Sequence, residues 1–277
     1  MRGFFLFAVT IILATSTNAQ ERRPSHCFAI ADATPGIAYI QKASWQTPPE
    51  DEFTVRIRYI DHSMYLIQSS GGLNAVTDYT GFVGALEFKP DVVTMNNAHS
   101  SHWTPMPDPD IPHVLEGWRQ NGEPADYYLD LDEMLVRNVT TDIRNSFDGS
   151  ERIKDNNSIF IFEVAGLCIG HLGHLHHEPT EQHYAALGRV DVVMAAVDGG
   201  LTVDTATMTR IVKRLRSSIV LPMHWRSNFS LEGFLDGVSD EFLIQRPGVS
   251  EMEVSLRTLP SRPTVIVLEP RFLSRDD

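Results

Sequence analysis

The sequence predicts an α/β fold formed by one large domain. Short apolar segments with the length of buried strands recur along the whole chain of 277 residues. In the second half these strands alternate with two helical segments, a pattern typical of α/β proteins. Several of the strands run directly into histidines or aspartates, so the predicted fold and the candidate site share the same residues.

The N-terminal residues have the pattern of a secretory signal peptide. Arg2 is followed by an apolar run at residues 4–14 and by small residues at 17–19, where cleavage would occur. The apolar run is too short for a stable transmembrane helix, and no later segment is long enough to cross a bilayer. We therefore expect a signal peptide at residues 1–19 and a secreted or periplasmic domain at residues 20–277.

The acidic composition of the chain limits the kinds of molecule that it is expected to bind. The formal net charge is −13, and an acidic surface repels phosphate backbones, so nucleic-acid binding is not expected and a small-molecule substrate or ligand is. The only two cysteines are Cys27 and Cys168. They could pair in an exported protein, or Cys168 could be a buried free thiol within its apolar run. The sequence does not indicate an oligomeric state.

The first half predicts an antiparallel meander followed by a loop. Apolar residues alternate with arginines at 54–60, as in a half-buried strand. A further strand at 91–95 leads into His99 and His102. Residues 103–131, which contain four prolines between Pro105 and Pro112, predict a long loop that is either a lid or a surface insertion. The predicted meander strands are residues 36–40, 54–60, 63–68 and 73–77.

The second half has clearer signals. A strand or hairpin is predicted at 159–170, and the apolar positions of residues 204–216 recur with the period of an amphipathic helix. Proline begins a shorter helix at 179–187. The remaining predicted strands are residues 191–197, 218–221 and 263–268.

Histidines follow three of these strands. Four of the eleven histidines lie within residues 171–177, and others follow the strands that end near Met95 and Leu221. Asp198 follows a fourth strand. Because ligands supplied from several strand ends can converge at one edge of a sheet, and because neutral imidazole binds zinc, copper, iron and nickel, this pattern predicts a metal site.

The motif segments of the chain, in order, are Tyr59-Ile60-Asp61-His62-Ser63, Ala75-Val76-Thr77-Asp78, Asn97-Ala98-His99-Ser100-Ser101-His102, His171-Leu172-Gly173-His174-Leu175, residues 191–203 with their Gly-Gly turn, and Leu221-Pro222-Met223-His224-Trp225. In these segments the chain resembles the metallo-β-lactamase fold superfamily, in the short branch that includes L-ascorbate-6-phosphate lactonase-like hydrolases. The resemblance covers about residues 54–228 and is most specific in the second half. It implies a four-layer αββα sandwich and a metal-dependent hydrolase.

The resemblance also shows where the ligands differ. The family binds two metal ions bridged by an aspartate, but His174 stands at the bridging position, and an imidazole cannot bridge as a carboxylate does. Asn97 and Ser101 replace two other ligands, and no histidine occurs near Ile143, where a third is expected.

We therefore expect one divalent metal ion, zinc before copper, iron or nickel, in an exported hydrolase acting on an ester, lactone or phosphoester. The alternatives are a catalytically silent protein that binds a ligand or partner, and a non-hydrolytic metal-binding protein. Asp198 is expected to orient an imidazole or act as a base. His62 and His171 are interpreted as structural, Asp78 as a turn cap, and His176 as solvated or as a neighbour of the ligands. The predicted metal ligands are His99, His102, His174 and His224.

Overall fold

The computed structural model describes residues 22–28, 45–145, 152–225 and 227–275. The predicted signal peptide at residues 1–19 and the predicted strand at residues 36–40 lie outside the described residues. None of the helices in the described part of the chain is long and apolar enough to cross a membrane.

Two sheets and three α-helices make up the regular structure of the described residues. The helices are α1 (Glu181–Leu187), α2 (Thr205–Leu215) and α3 (Asn228–Val238), and short 3-10 turns lie at His26–Phe28 and Leu256–Thr258. The strands are β1 (Val55–Asp61), β2 (Met64–Gln68), β3 (Asn74–Val76), β4 (Val92–Met95), β5 (His113–Glu116), β6 (Tyr128–Asp130), β7 (Met134–Arg144), β8 (Arg152–Val164), β9 (Leu167–His171), β10 (Val192–Ala196), β11 (Ile219–Met223), β12 (Leu243–Gln245), β13 (Glu251–Val254) and β14 (Thr264–Ile266).

The strands form a six-stranded sheet in the order β13-β1-β2-β3-β4-β5 and an eight-stranded sheet in the order β12-β14-β11-β10-β9-β8-β7-β6. A large apolar cluster contains residues of both sheets, and α2 packs on β10 and against α3. A smaller cluster, with Ile60 and Leu66, lies on the other side of the six-stranded sheet, where Trp45 and Trp103 pack against it. The predicted α/β sandwich is confirmed.

Strand β1 differs from its prediction as a half-buried strand. Arg56 and Arg58 are buried together with their apolar neighbours. In the antiparallel register with β13, each arginine lies opposite a glutamate, Glu253 and Glu251 respectively. Arg56 donates to Glu253 at 2.6 Å, and Arg58 to Glu251 at 3.2 Å. Burial is tolerated because each guanidinium is paired and hydrogen-bonded.

The prediction of an uninterrupted loop at residues 103–131 is wrong at two places. Strand β5 pairs with β4 in parallel, and β6 pairs with β7 in antiparallel orientation. The proline-rich part, residues 105–112, is irregular as expected. Beyond it, every residue of β5 and β6 has a backbone N–H group that can pair. Strand β5 therefore joins the edge of the six-stranded sheet, and β6 joins the edge of the eight-stranded sheet.

The two cysteines form a disulfide. Cys27 pairs with Cys168 across 141 positions of the sequence, so the open choice between a disulfide and a free thiol is decided in favour of the disulfide. The bond joins the 3-10 turn His26–Phe28 to β9.

Candidate metal centre

Parallel strands bring the predicted site residues together. Strands β9, β10 and β11 are neighbours and parallel, so their carboxyl ends share one edge of the sheet. His174 follows β9, Asp198 follows β10 and His224 directly follows β11. His99 and His102 approach from the loop after β4, and the ring centroids of His102 and His174 are 4.7 Å apart.

A buried carboxylate orients His102. The Nδ1 atom of His102 lies 2.5 Å from Oδ2 of Asp78, and the backbone N–H of Asn96 donates to the other oxygen of Asp78. Burial raises the pKa of Asp78 to about 6, and burial beside His224 and His99 lowers the pKa of His102 well below its ordinary value. At neutral pH Nδ1–H therefore donates to the Asp78 carboxylate, and Nε2 keeps its lone pair. Asp78 thus orients an imidazole instead of capping a turn.

A second carboxylate orients His224. Its Nδ1 atom lies 2.9 Å from Oδ2 of Asp198. The other oxygen of Asp198 accepts from the backbone N–H groups of Gly200, Leu201 and Thr202 at 2.6–3.0 Å. Burial alone would raise the pKa of Asp198, but the close contact with His224 and the hydrogen bonds from Thr202 and Gly200 outweigh it and hold the pKa well below its ordinary value. The ionised carboxylate therefore lies beside Nδ1 of His224, a contact that favours the proton on that nitrogen.

The two oriented imidazoles face each other. Nε2 of His102 and Nε2 of His224 are 3.0 Å apart. Nδ1 of His102 is hydrogen-bonded to Asp78, and Nδ1 of His224 lies 2.9 Å from Asp198. Two lone pairs at this separation repel unless a cation lies near both. Two nitrogens on one tetrahedral zinc ion, bound at 2.0–2.1 Å, are about 3.3 Å apart. Histidines held by carboxylates are also the usual ligands of metal sites, so this pair fits a divalent metal ion.

His62 joins this pair, although its sequence position was interpreted as structural. It lies in the turn between β1 and β2 with a φ of 47°, and its ring centroid is 3.9 Å from that of His224. Its carbonyl oxygen accepts from the backbone N–H of His224 and from the Tyr59 hydroxyl. One ring nitrogen from each of His62, His102 and His224 lies within 4.8 Å of the others. The signal for His62 was its place in the early Asp61-His62-Ser63 element of the resemblance.

His99 and His174 form a second group with His102. Their ligand atoms also lie within 4.8 Å of one another, and the rings of His99 and His174 are stacked at 5.3 Å. Among the described residues, the predicted ligands are therefore divided between two groups of three that share His102. His99 is exposed, and its Nδ1 lies 3.0 Å from Oγ of Ser101.

Other singled-out residues lie outside both groups. His171 is fully buried, and its Nε2 donates to the carbonyl oxygen of Ser63 at 2.8 Å, which agrees with a structural role. His176 contacts His174 instead of being solvated, with 2.8 Å between His176 Nε2 and His174 Nδ1. Ile143 lies on β7.

Comparison with protein families decides the family. The model of the β-lactamase superfamily domain matches residues 56–224, more than half of the chain. The chain belongs to the metallo-β-lactamase fold superfamily. No significant match was found among curated proteins.

Solved structures of this superfamily share its architecture. A protein from Thermotoga maritima, assigned to the zinc-dependent hydrolases of the metallo-β-lactamase superfamily, is 22% identical with a TM-score of 0.55, over 78% of this chain and 100% of that chain. A metallo hydrolase from the archaeon Ignicoccus hospitalis is 18% identical with a TM-score of 0.52, over 78% and 96%. At these identities the likeness shows the fold. In the present chain, the histidines of both groups lie in loops that follow strand ends.

Proposed function

We propose that the chain is an exported hydrolase that uses one divalent metal ion, zinc in the first place, held by His62, His102 and His224. Its substrate would be a small ester, lactone or phosphoester. The observation that carries the proposal is the 3.0 Å separation between Nε2 of His102 and Nε2 of His224, with each Nδ1 turned to a buried carboxylate.

The donor set supports a single metal ion. His102 has only one nitrogen available, because its Nδ1 is held by Asp78, so it serves one ion. Neutral imidazoles suit zinc, and they also accept copper, iron or nickel. Three histidines with a remaining open position are the arrangement of catalytic zinc sites.

When bound, such an ion would polarise a carbonyl or phosphoryl oxygen and activate water for attack. The protein's own groups divide the other tasks. Asp198 orients His224 and is a poor base, because its hydrogen bonds hold its pKa low. His99 is the exposed imidazole of the site, and we assign to it the proton-accepting role that an aspartate at the position of Ser101 has in the resembled family.

The test is zinc content. The protein is incubated with zinc, desalted and analysed for metal per chain, together with His62→Ala, His224→Ala, His99→Ala and the distant control His113→Ala on β5. We expect one equivalent in the parent protein and in the His99 and His113 variants, and a loss in the other two. Two equivalents would contradict the single-ion site, and no zinc would remove its basis. Loss in His99→Ala with retention in His62→Ala would assign the site to the group of His99.

Hydrolysis and export need separate measurements. A panel of p-nitrophenyl acetate, a simple lactone and bis-p-nitrophenyl phosphate covers the three proposed substrate classes. Export is tested by expressing the chain with and without residues 1–19 and locating the protein by cell fractionation.

A second candidate is a metal-binding member without hydrolytic activity. The observation in its favour is the absence of a carboxylate base: Ser101 stands at the usual position, and Asp198 is committed to His224 and to the turn at residues 199–202. One bound zinc ion without turnover of any class in the panel would favour this candidate.

A further inference from the structure

A chain of hydrogen bonds enters the site from β7. The backbone N–H of Arg144 donates to Nδ1 of His176 at 2.7 Å. Nε2 of His176 lies 2.8 Å from Nδ1 of His174. His174 in turn packs against three other histidines, with ring centroids 4.7 Å from His102 and 5.3 Å from both His99 and His224.

The first bond of this chain determines the others. A backbone N–H can only donate, so Nδ1 of His176 accepts and carries no proton. A neutral imidazole has one N–H, which in His176 must therefore be at Nε2. This N–H points to Nδ1 of His174, which accepts in turn. By the same rule the proton of His174 is at Nε2, the nitrogen that does not contact His176.

We propose that His174 is a hydrogen-bond donor to a substrate oxygen and not a metal ligand, and that His176 is the residue that positions it. The inference rests on the proposed function for the presence of a substrate at this site. A nitrogen that carries a proton has no lone pair for a metal ion, and the lone pair of Nδ1 is already used by His176. His102 and His224 are in the opposite state, because a carboxylate beside Nδ1 of each favours the proton on that nitrogen and leaves Nε2 available.

The exchange at this position therefore changes the chemistry. The family's bridging aspartate is an acceptor and a ligand, whereas His174 presents an N–H. Such a donor stabilises negative charge that develops on a carbonyl or phosphoryl oxygen during attack. His174 keeps its Nε2 proton throughout and only donates a hydrogen bond. It therefore stabilises the transition state of substrates whose reacting oxygen gains negative charge.

The surroundings hold this donor in place. Gly173 has a φ of +63°, which a glycine adopts without strain, and it turns the chain from β9 towards the site. The side chain of Arg144 donates to the carbonyl oxygens of Leu201 at 2.7 Å and Thr202 at 3.0 Å. Arg144 therefore links the chain that ends at His174 to the turn that holds Asp198.

The test uses the full folded domain with nitrogen-15-labelled histidine. Two-bond proton–nitrogen spectra identify which ring nitrogen of His174 carries the proton, with His174→Gln used to assign its signals. We expect Nε2–H in His174, both before and after zinc is added. A proton at Nδ1, or a shift of Nε2 to metal coordination with zinc, would overturn the proposal.

Variants provide an independent readout. Zinc content is expected to stay at one per chain in His174→Ala, whereas hydrolysis of p-nitrophenyl acetate is expected to fall about 10²–10³-fold, the usual effect of removing one oxyanion donor. His174→Gln retains an N–H donor and should recover part of the rate. Loss of zinc in His174→Ala would make it a ligand and contradict the inference.

The positioning role has its own controls. His176→Leu removes the donor to His174, so the His174 proton is expected to divide between its two nitrogens and the rate to fall. His176→Gln can accept from Arg144 and donate to His174, and should restore both. His177→Leu, one residue further along the loop, should change neither. If the parent protein binds no zinc, the proposed function fails. The NMR measurement of the proton on His174 is independent of zinc and still tests the chain of hydrogen bonds.

Discussion

His102 and His224 turn their Nε2 atoms towards each other across 3.0 Å, and each directs its Nδ1 to a buried carboxylate. The two residues come from different sheets, since His102 follows β4 and His224 follows β11. The carboxylates come from two further positions, the end of β3 and the end of β10. Four strand ends therefore determine which nitrogens are available at the site.

Replacing either carboxylate should weaken metal binding without removing a ligand. In Asp78→Asn or Asp198→Asn the charge that holds Nδ1–H is lost, so the imidazole is less basic and less well oriented. We expect zinc affinity to fall about 10–100-fold, measured by competition with a chromophoric chelator. Asp240→Asn, an exposed carboxylate that pairs with Lys213, is the matched control. Equal affinity in all three variants would contradict the orienting roles.

Gly173→Ala should destabilise the domain. A Cβ at this position would lie 1.8 Å from Nδ2 of Asn96, and φ is +63°. The overlap costs about 1–3 kcal/mol, and the backbone conformation costs about 1–2 kcal/mol more. Urea unfolding measures the sum. In an Asn96→Ala background the two closest contacts disappear and only the Cβ of residue 96 remains, at 2.9 Å. The effect of Gly173→Ala should therefore shrink towards the backbone part; an unchanged effect would show that the overlap does not determine it.

Reduction of the Cys27–Cys168 disulfide should lower the free energy of unfolding. The bond closes a long loop, and loss of such a crosslink typically costs about 2–5 kcal/mol. The measurement compares urea unfolding with and without a reducing agent. The Cys27→Ala/Cys168→Ala variant should unfold like the reduced protein and should not respond to the reducing agent. A response of this variant would mean that reduction acts elsewhere.

Arg137 and Glu163 should behave as a coupled buried pair. Nε of Arg137 donates to Glu163 at 2.8 Å, and its other nitrogens donate to the carbonyl oxygens of Ala186 and Leu187 at the end of α1. Arg137→Met leaves the buried Glu163 charge with hydrogen bonds from Ser25 and from the backbone N–H of His26, which should cost up to about 3–5 kcal/mol of unfolding free energy. Adding Glu163→Leu should recover part of this loss. Strict additivity of the two substitutions would show that the pair is not coupled.

Asp191 should make the stability depend on pH. Burial raises its pKa, only partly offset by the Cys168 N–H and by Arg189. The folded state therefore holds the proton at pH values where the unfolded state has released it, so this group's contribution to stability falls as the pH rises from about 3.8 through the raised pKa. Relative to Asp191→Asn, the parent protein should lose unfolding free energy over this interval. If the parent protein instead gained unfolding free energy relative to Asp191→Asn, the pKa of Asp191 would be lowered on folding and not raised.

Much of the fold could be predicted from local patterns. Strand β10 is a continuous apolar run and helix α2 has clear apolar periodicity, and the sequence places Asp198 and His224 after β10 and β11 as observed. Strand β7 and helix α3 were not predicted. Strand β7 mixes polar residues such as Asn138 and Thr140 with its apolar ones, and it is stabilised by its register with β8. Such long-range pairing leaves no local signal.

The candidate site could be predicted in part. His99, His102, His174 and His224 were identified, and the structure brings their rings together. The sequence favours a structural role for His62, in packing or hydrogen bonding, and not a place among the ligands. Its carbonyl oxygen accepts from the backbone N–H of His224, a contact between residues far apart in the sequence.

The sequence by itself determined the α/β class, the family and the loss of the bridging aspartate at His174, because strand periodicity and motif residues are local properties. Only the tertiary structure decided which nitrogen of each imidazole is available. That depends on the polar group beside the other nitrogen: Asp78 for His102, Asp198 for His224, and His176 with the Arg144 backbone for His174. The partners of His102 and His224 lie 24 and 26 positions away, and Arg144 lies 32 positions from His176, so folding has to bring them together.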